Sequence, residues 1–326
     1  MVSETIGIAI LGAGGIAGAH LKALQQLPEG RLVATSDVDL ERARARMEEF
    51  GGERFFGSYG EAITCSGVDA VIVCLPHGLH EEAVVAAARA GKHVLVEKPM
   101  ANTLAEARAM VQAAEEAGVK LMVGQVMRFY KTHRLARSLI REGRIGRPRH
   151  VIRRRTGWFR DWVPWSHDPK MCGGIALYGF GSHEMDMLLW LTDAFATQVY
   201  AQGEKVNPIW QDYDEVSMQM RLSNGCMASL IHSLNCKMGV WDCLIMGEEE
   251  TLLINGEGVH LNNDLIPVEG TGPEGMAGQL QEFLAAIREG REPEASGRQV
   301  METTMTALEA ARLSLDRRAV VETASL

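Results

Sequence analysis

The chemistry in this sequence starts with Gly12-Ala13-Gly14-Gly15-Ile16-Ala17, a G-x-G-x-x-A spacing directly after the apolar run Ile6-Gly7-Ile8-Ala9-Ile10-Leu11. Gly12 permits a tight turn from strand into helix. Gly14 has no side chain, so a pyrophosphate can approach the backbone. Ala17 is small enough for the helix to press on its strand. Gly15 and Ile16 then open a helix whose free N–H groups and positive dipole end face the phosphates. A second apolar run, 31–36, ends in Asp37. An acid there can accept hydrogen bonds from a ribose 2′-hydroxyl and repels a 2′-phosphate, which favours NAD over NADP. The nearby Arg42 and Arg44 leave NADP open. Asp37 could equally serve as a helix cap. His183 and Asp186 lie one helical turn apart, but no further ligand set, H-E-x-x-H or cysteine cluster accompanies them, so no metal is expected.

The elements that must position these residues alternate. Residues 69–75 read as a buried strand stopped by Pro76, 81–90 as a helix, 93–96 as a strand ending at Glu97-Lys98-Pro99, and 120–124 as a further strand. Thr103 and Glu106 form a capping box for the helix between the last two. Strand-helix alternation at this spacing predicts an α/β Rossmann domain with a doubly wound parallel sheet. Ligands of such sheets sit beyond the carboxyl ends of the strands, which makes Leu75, Pro76, His80, Glu97 and Lys98 candidates.

Near Gly124 the period changes. A helix at 132–143 is followed by strand patterns at 149–156, 198–206, 216–222, 227–234 and 242–246, with a helix at 182–191 that carries His183. Turns such as Ser223-Asn224-Gly225 predict an α+β domain built on a large, mostly antiparallel sheet. Two helices, 279–289 and 299–316, close the chain. The expected division is therefore 1–123 for nucleotide binding and 124–326 for substrate and oligomer contacts. The stretch from Trp158 to Trp165 is dense in aromatics for a chain with 6% of them. Aromatic faces pack on sugar C–H faces. Arg128, Arg155, Asp161, Trp165, His167 and Asp168 are candidates for substrate contact, against a lid or a subunit contact as the plainer role.

Glu97-Lys98-Pro99 after a Val-rich strand resembles the E-K-P signature of the glucose-fructose oxidoreductase/inositol dehydrogenase (Gfo/Idh/MocA) family. Leu75-Pro76-His77-Gly78-Leu79-His80 is similar to the family's T-P-x-x-x-H segment along the cofactor. Gly124-Gln125-Val126-Met127-Arg128-Phe129 resembles its G-x-x-x-R-F segment, and 173–186 its G-G-x-x-x-x-D-x-G-x-H-x-x-D segment. The resemblance implies that Arg128 belongs to the cofactor site. It also implies that Lys98, before a cis proline, contacts nicotinamide and substrate and polarises the reacting oxygen, and that His183 is the general acid/base. The activity implied is NAD(P)-dependent oxidation or reduction at a secondary alcohol or ketone of a sugar, cyclitol or similar cyclic polyol. The family also implies a homodimer or homotetramer through the C-terminal sheet. One position departs: Gly179 stands where the family places an acid four residues before the histidine. Asp186 or Tyr178 could take its place, or the protein could be a redox-neutral NAD-dependent lyase or hydrolase, or a non-catalytic nucleotide or ligand sensor.

Length and composition bound the rest. A chain of 326 residues with 46% apolar and 23% charged residues suits two globular domains. Its net charge of −9 argues against nucleic acid as a partner. No apolar stretch is long enough to span a membrane. Six cysteines without a C-x-x-C pair, and no basic leader before the first apolar run, point to the cytoplasm. Residues 128–155 hold eleven Lys or Arg against one acid, Glu142. They read first as a solvated helix face paired with acids elsewhere, and second as an attractant for an acidic substrate.

Overall fold

The structure is a computed structural model that describes residues 5–160 and 163–326. Asp161 and Trp162 of the aromatic stretch lie outside the described residues. Two compact units emerge. The first comprises Met1–Ala101, Ala105–Val126 and Gly272–Val300; the second comprises Asn102–Leu104, Met127–Thr271 and Met301–Leu326.

The first unit runs β1 (Ile6–Leu11), α1 (Gly15–Leu24), β2 (Gly30–Ser36), α2 (Leu40–Phe50), β3 (Arg54–Phe56), α3 (Tyr59–Thr64), β4 (Ala70–Val73), α4 (His80–Arg89), β5 (His93–Val96), α5 (Leu104–Ala117) and β6 (Leu121–Val123). The strands form one six-stranded sheet in the order β3-β2-β1-β4-β5-β6, all pairs parallel. All of β1 and β4 is buried, which explains apolar runs without alternation. The order reverses between β1 and β4, the place where doubly wound sheets bind nucleotides.

The second unit contains α6 (Lys131–Arg141), β7 (His150–Trp158), α7 (Pro169–Cys172), α8 (Gly181–Thr192), β8 (Ala196–Glu204), β9 (Glu215–Leu222), β10 (Met227–Ser233), β11 (Asn235–Met246), β12 (Thr251–Asn255), β13 (Gly258–Leu261) and β14 (Asp264–Ile266). After α9 (Gly275–Glu289) and α10 (Gly297–Val300) come α11 (Thr306–Arg317) and β15 (Val321–Glu322). The nine strands order as β14-β13-β12-β11-β7-β10-β9-β8-β15, with β10 and β7 as the parallel pair in an otherwise antiparallel sheet. In β9 burial alternates residue by residue, so one face packs under helices and the other stays open.

The expected continuous second domain over 124–326 differs from this division. Residues 272–300 pack with the first unit. Leu284 of α9 reaches the same spot as Leu24 and Ile8, close to Gly30, and the Val123 amide donates to the Ala295 carbonyl at 2.9 Å. An amphipathic helix pattern gives no sign of which core it joins; here the uncovered flank of α1 and the free edge of β6 take it.

Candidate active site

Four strand ends of the first unit meet at one edge of its sheet. At the end of β1, Gly12 has φ +93°, and a Cβ there would lie 2.6 Å from the Cys74 carbonyl oxygen. No other residue fits that turn without strain. A Cβ on Gly14 or Gly15 would meet nothing within 4 Å. The backbone at the start of α1 is therefore open on the side a pyrophosphate would take, and Ile16 beside it is exposed. This cradle fits a dinucleotide. Asp37, at the end of β2, accepts the Ala13 amide through Oδ2 at 2.9 Å and the Asp39 amide through Oδ1 at 2.9 Å. Arg42 Nη1 stands 3.7 Å from its Oδ2, while Arg44 turns to Glu48.

At the end of β4, Leu75 and Pro76 are half-buried. His80 is fully buried, with Nε2 2.9 Å from the Leu75 carbonyl and Nδ1 3.0 Å from that of Pro99. Burial pushes its pKa down, and the two carbonyls partly offset this. Its ring holds the Pro76 turn against the segment after Lys98. At the end of β5, Glu97 is buried and accepts His20 Nε2 at 2.7 Å. Burial would raise its pKa, but the His20 hydrogen bond and the Lys98 charge win, and the carboxyl is lowered. Glu97 also accepts the Lys98 amide at 3.1 Å. Lys98 itself is half-buried, and its bond to Pro99 is cis, as expected. The partner of His20, 77 residues away, leaves no mark in the sequence.

In the second unit, His183 is the third residue of α8 and half-buried. The π-helical turn Ile175–Phe180 leads into it, with the Gly179 amide donating to the Gly174 carbonyl at 3.1 Å. Gly174 has φ +110°, and a Cβ on it would lie 2.4 Å from Asp212 Oδ2. Asp212 is thus a neighbour of this turn that sequence reasoning missed, since no motif marks it.

The two residues that could have replaced the acid at Gly179 are both engaged elsewhere. Tyr178 is buried and donates to Glu309 at 3.2 Å; burial and that carboxylate push its phenol far above the ordinary value. Asp186 is 1% exposed. It receives Arg128 Nε at 2.8 Å and Nη2 at 2.6 Å, plus the Thr304 hydroxyl at 2.9 Å. Both residues are thus buried and hydrogen-bonded to side chains of their own unit. The fork of Arg128, 1% exposed, closes on Asp186. Arg155 on β7 is half-buried with its guanidinium 6.0 Å from the Phe180 ring, and Trp165 is half-buried in the turn Pro164–His167. His167 stacks on Trp210 at 5.4 Å.

The basic segment is largely paired. Arg137 and Arg141 reach Asp193, Arg147 reaches Glu248, Arg153 reaches Glu184, and Arg154 reaches Asp242. Among the described residues, no group of three His, Cys, Asp or Glu could hold a metal, and no helix is long and apolar enough to cross a membrane.

Comparison with known proteins agrees with this geometry. A family described as "Oxidoreductase family, NAD-binding Rossmann fold" matches residues 6–125, and the GFO/IDH/MocA C-terminal domain matches residues 133–253. The chain is similar to myo-inositol 2-dehydrogenase of Thermotoga maritima, 31% identical over 71% of this chain and 70% of that protein. It is also similar to 4-carboxy-2-hydroxymuconate-6-semialdehyde dehydrogenase of Sphingobium sp., 28% identical over 90% of this chain and 94% of the relative. Among solved structures, the WlbA dehydrogenase from Bordetella pertussis in complex with NADH and UDP-GlcNAcA superposes with a TM-score of 0.87 at 26% identity, covering 98% of each chain.

Proposed function

Since this chain belongs to the GFO/IDH/MocA family of NAD-binding oxidoreductases, we propose that it interconverts a secondary alcohol and its ketone on a sugar, cyclitol or similar cyclic polyol. The observation that carries this is the shared carboxyl edge of the parallel sheet, where the glycine cradle, Asp37 and Lys98 follow β1, β2 and β5. Bound NAD supplies the two-electron acceptor or donor. The amides at the start of α1 bind its pyrophosphate and Asp37 its ribose. The Lys98 ammonium polarises the reacting oxygen, and Glu97, which accepts the Lys98 backbone amide and His20, fixes the backbone beside it. The His183 imidazole takes the hydroxyl proton in oxidation and returns it in reduction. Gly179 stands at the position of the family's usual acid, and this is what supports the redox-neutral and sensor readings as alternatives.

The test is nicotinamide absorbance with a panel of inositols, aldoses and their keto forms, with NAD(H) and NADP(H), on the native protein and Lys98→Ala. Turnover reduced at least a hundredfold in Lys98→Ala is expected. Full turnover in the variant refutes the role of Lys98. NADH binding without turnover on any member would move the reading to redox-neutral chemistry or sensing.

We further infer a homodimer or homotetramer through the open face of the nine-stranded sheet, where Trp158, Met227, Ile231 and Met238 are exposed. Met218 and Met220, by contrast, face the core. Six cysteines without a C-x-x-C pair support a reducing, cytoplasmic setting.

A further inference from the structure

Arg128 and Arg153 head the largest fully buried side chains of the protein, and both end on α8. Arg153, from β7, donates through Nε to Glu184, the residue after His183. Its guanidinium lies 4.8 Å from the centroid of Trp241. His133, from α6, meets the edge of the same indole at 5.7 Å; burial and the Arg153 charge hold it neutral, its pKa down at about 3. Cys243, the cross-strand neighbour of Arg153, is a buried thiol pushed up to about 11 by burial. The next acid on β11, Asp242, is bound outward to Arg154. Glu184 is therefore the carboxylate that meets Arg153. Both Nη atoms of Arg153 are buried and find no oxygen or nitrogen acceptor among the described residues. Apolar pairs of similar volume often serve a core as well as a buried ion pair does, so the presence of this pair is weak evidence of a stabilising role.

Helix geometry shows what the pair can do. At about 100° per residue, Glu184 and Asp186 leave α8 about 160° apart on one side, and His183 projects from the sector between them. One anchor ties the helix to β7. The other ties it to Arg128 and to Thr304, in the π-helical turn Met301–Met305 before α11. α8 is buried along nearly its whole length, so packing resists large rolls about its axis, and anchors on two flanks fix the smaller rotations that remain. We propose that the Arg153–Glu184 pair is a positioning device for His183, fixing with Arg128–Asp186 the rotation of α8 and so the direction of the imidazole.

This inference rests on His183 as the proton-transferring group, and the experiment separates the two claims. The His183 imidazole resonance, assigned by its loss in His183→Asn, is titrated by NMR in the native protein, in Glu184→Gln and in the apolar pair replacement Arg153→Met/Glu184→Leu. The expected result is a displaced resonance and a titration midpoint moved by about half a pH unit or more in both variants. NADH affinity should stay within twofold of native. A native resonance and midpoint in whichever variant folds overturns the proposal. So does failure of both to fold, because the pair would then be a requirement of the core. If His183→Asn itself keeps native turnover, the reading of His183 is what fails, whatever the titration shows.

Discussion

At the end of β2, the two oxygens of Asp37 already hold the amides of Ala13 and Asp39. A ribose bound there would share a carboxylate that also fixes the glycine loop. Asp37→Ala should therefore weaken NADH binding about tenfold or more, equivalent to about 1.4 kcal/mol, through lost ribose contact and a looser loop together. It should also narrow the preference for NAD over NADP, because Arg42 would remain beside the 2′ position without its acid. Fluorescence titration with both nucleotides measures this, and an unchanged NADH affinity would place the ribose elsewhere. The glycine spacing and Asp37 were legible because local backbone geometry dictates residue type. The Glu97–His20 and Arg153–Glu184 pairs were not, since their partners are set by tertiary packing across 77 and 31 residues. Nor were the partners of Tyr178 and Asp186, because a helical register does not say which flank meets Glu309 or Arg128.

Among the elements, long periodic runs were read well. The strand pattern at 216–222 is β9 at Glu215–Leu222, and the pattern at 198–206 is β8 two residues earlier. The π-helical turns Ile175–Phe180 and Met301–Met305 left no trace in the sequence pattern, because one extra residue in a turn shifts the apolar stripe without erasing it. The open sheet face was legible as a consequence of alternation, and it carries a prediction. Ile231 is exposed at mid-strand on β10, a position where a neighbouring copy would bury it. Ile231→Lys should convert the proposed oligomer to monomer, read as mass by light scattering, with the thermal midpoint of the monomer fold retained. A native protein that is already monomeric at micromolar concentration would remove the interface.

Across the whole molecule, acid sensitivity follows from two buried histidines. Burial first, then Arg153 for His133 and Arg155 for His232, hold both near a pKa of about 3 against an ordinary 6.5. Folded, each stays neutral; unfolded, each takes a proton below about pH 6.5. The unfolded state then binds more protons, so their contribution is complete above pH 6.5 and is lost steadily as pH falls towards 3. At about 1.4 kcal/mol per unit for each, the pair costs roughly 4 kcal/mol by pH 5. Urea unfolding between pH 7 and 5 should show this slope, and His133→Leu should remove about half of it. An identical slope in the variant would assign the sensitivity to other groups.

The chain crosses between its two units several times: residues 272–300 return to complete the first, and 301–326 complete the second. During synthesis, the β6 edge emerges long before the Ala295 carbonyl that the Val123 amide awaits. At ribosomal speeds the delay is on the order of ten seconds or more. The first unit cannot finish until residue 300 has been made, and the second must wait for the residues after it. A protease nick or a gene fusion placed near residue 124 would therefore yield two incomplete pieces, and exchanging the nucleotide half with a relative means transplanting two separate stretches of chain.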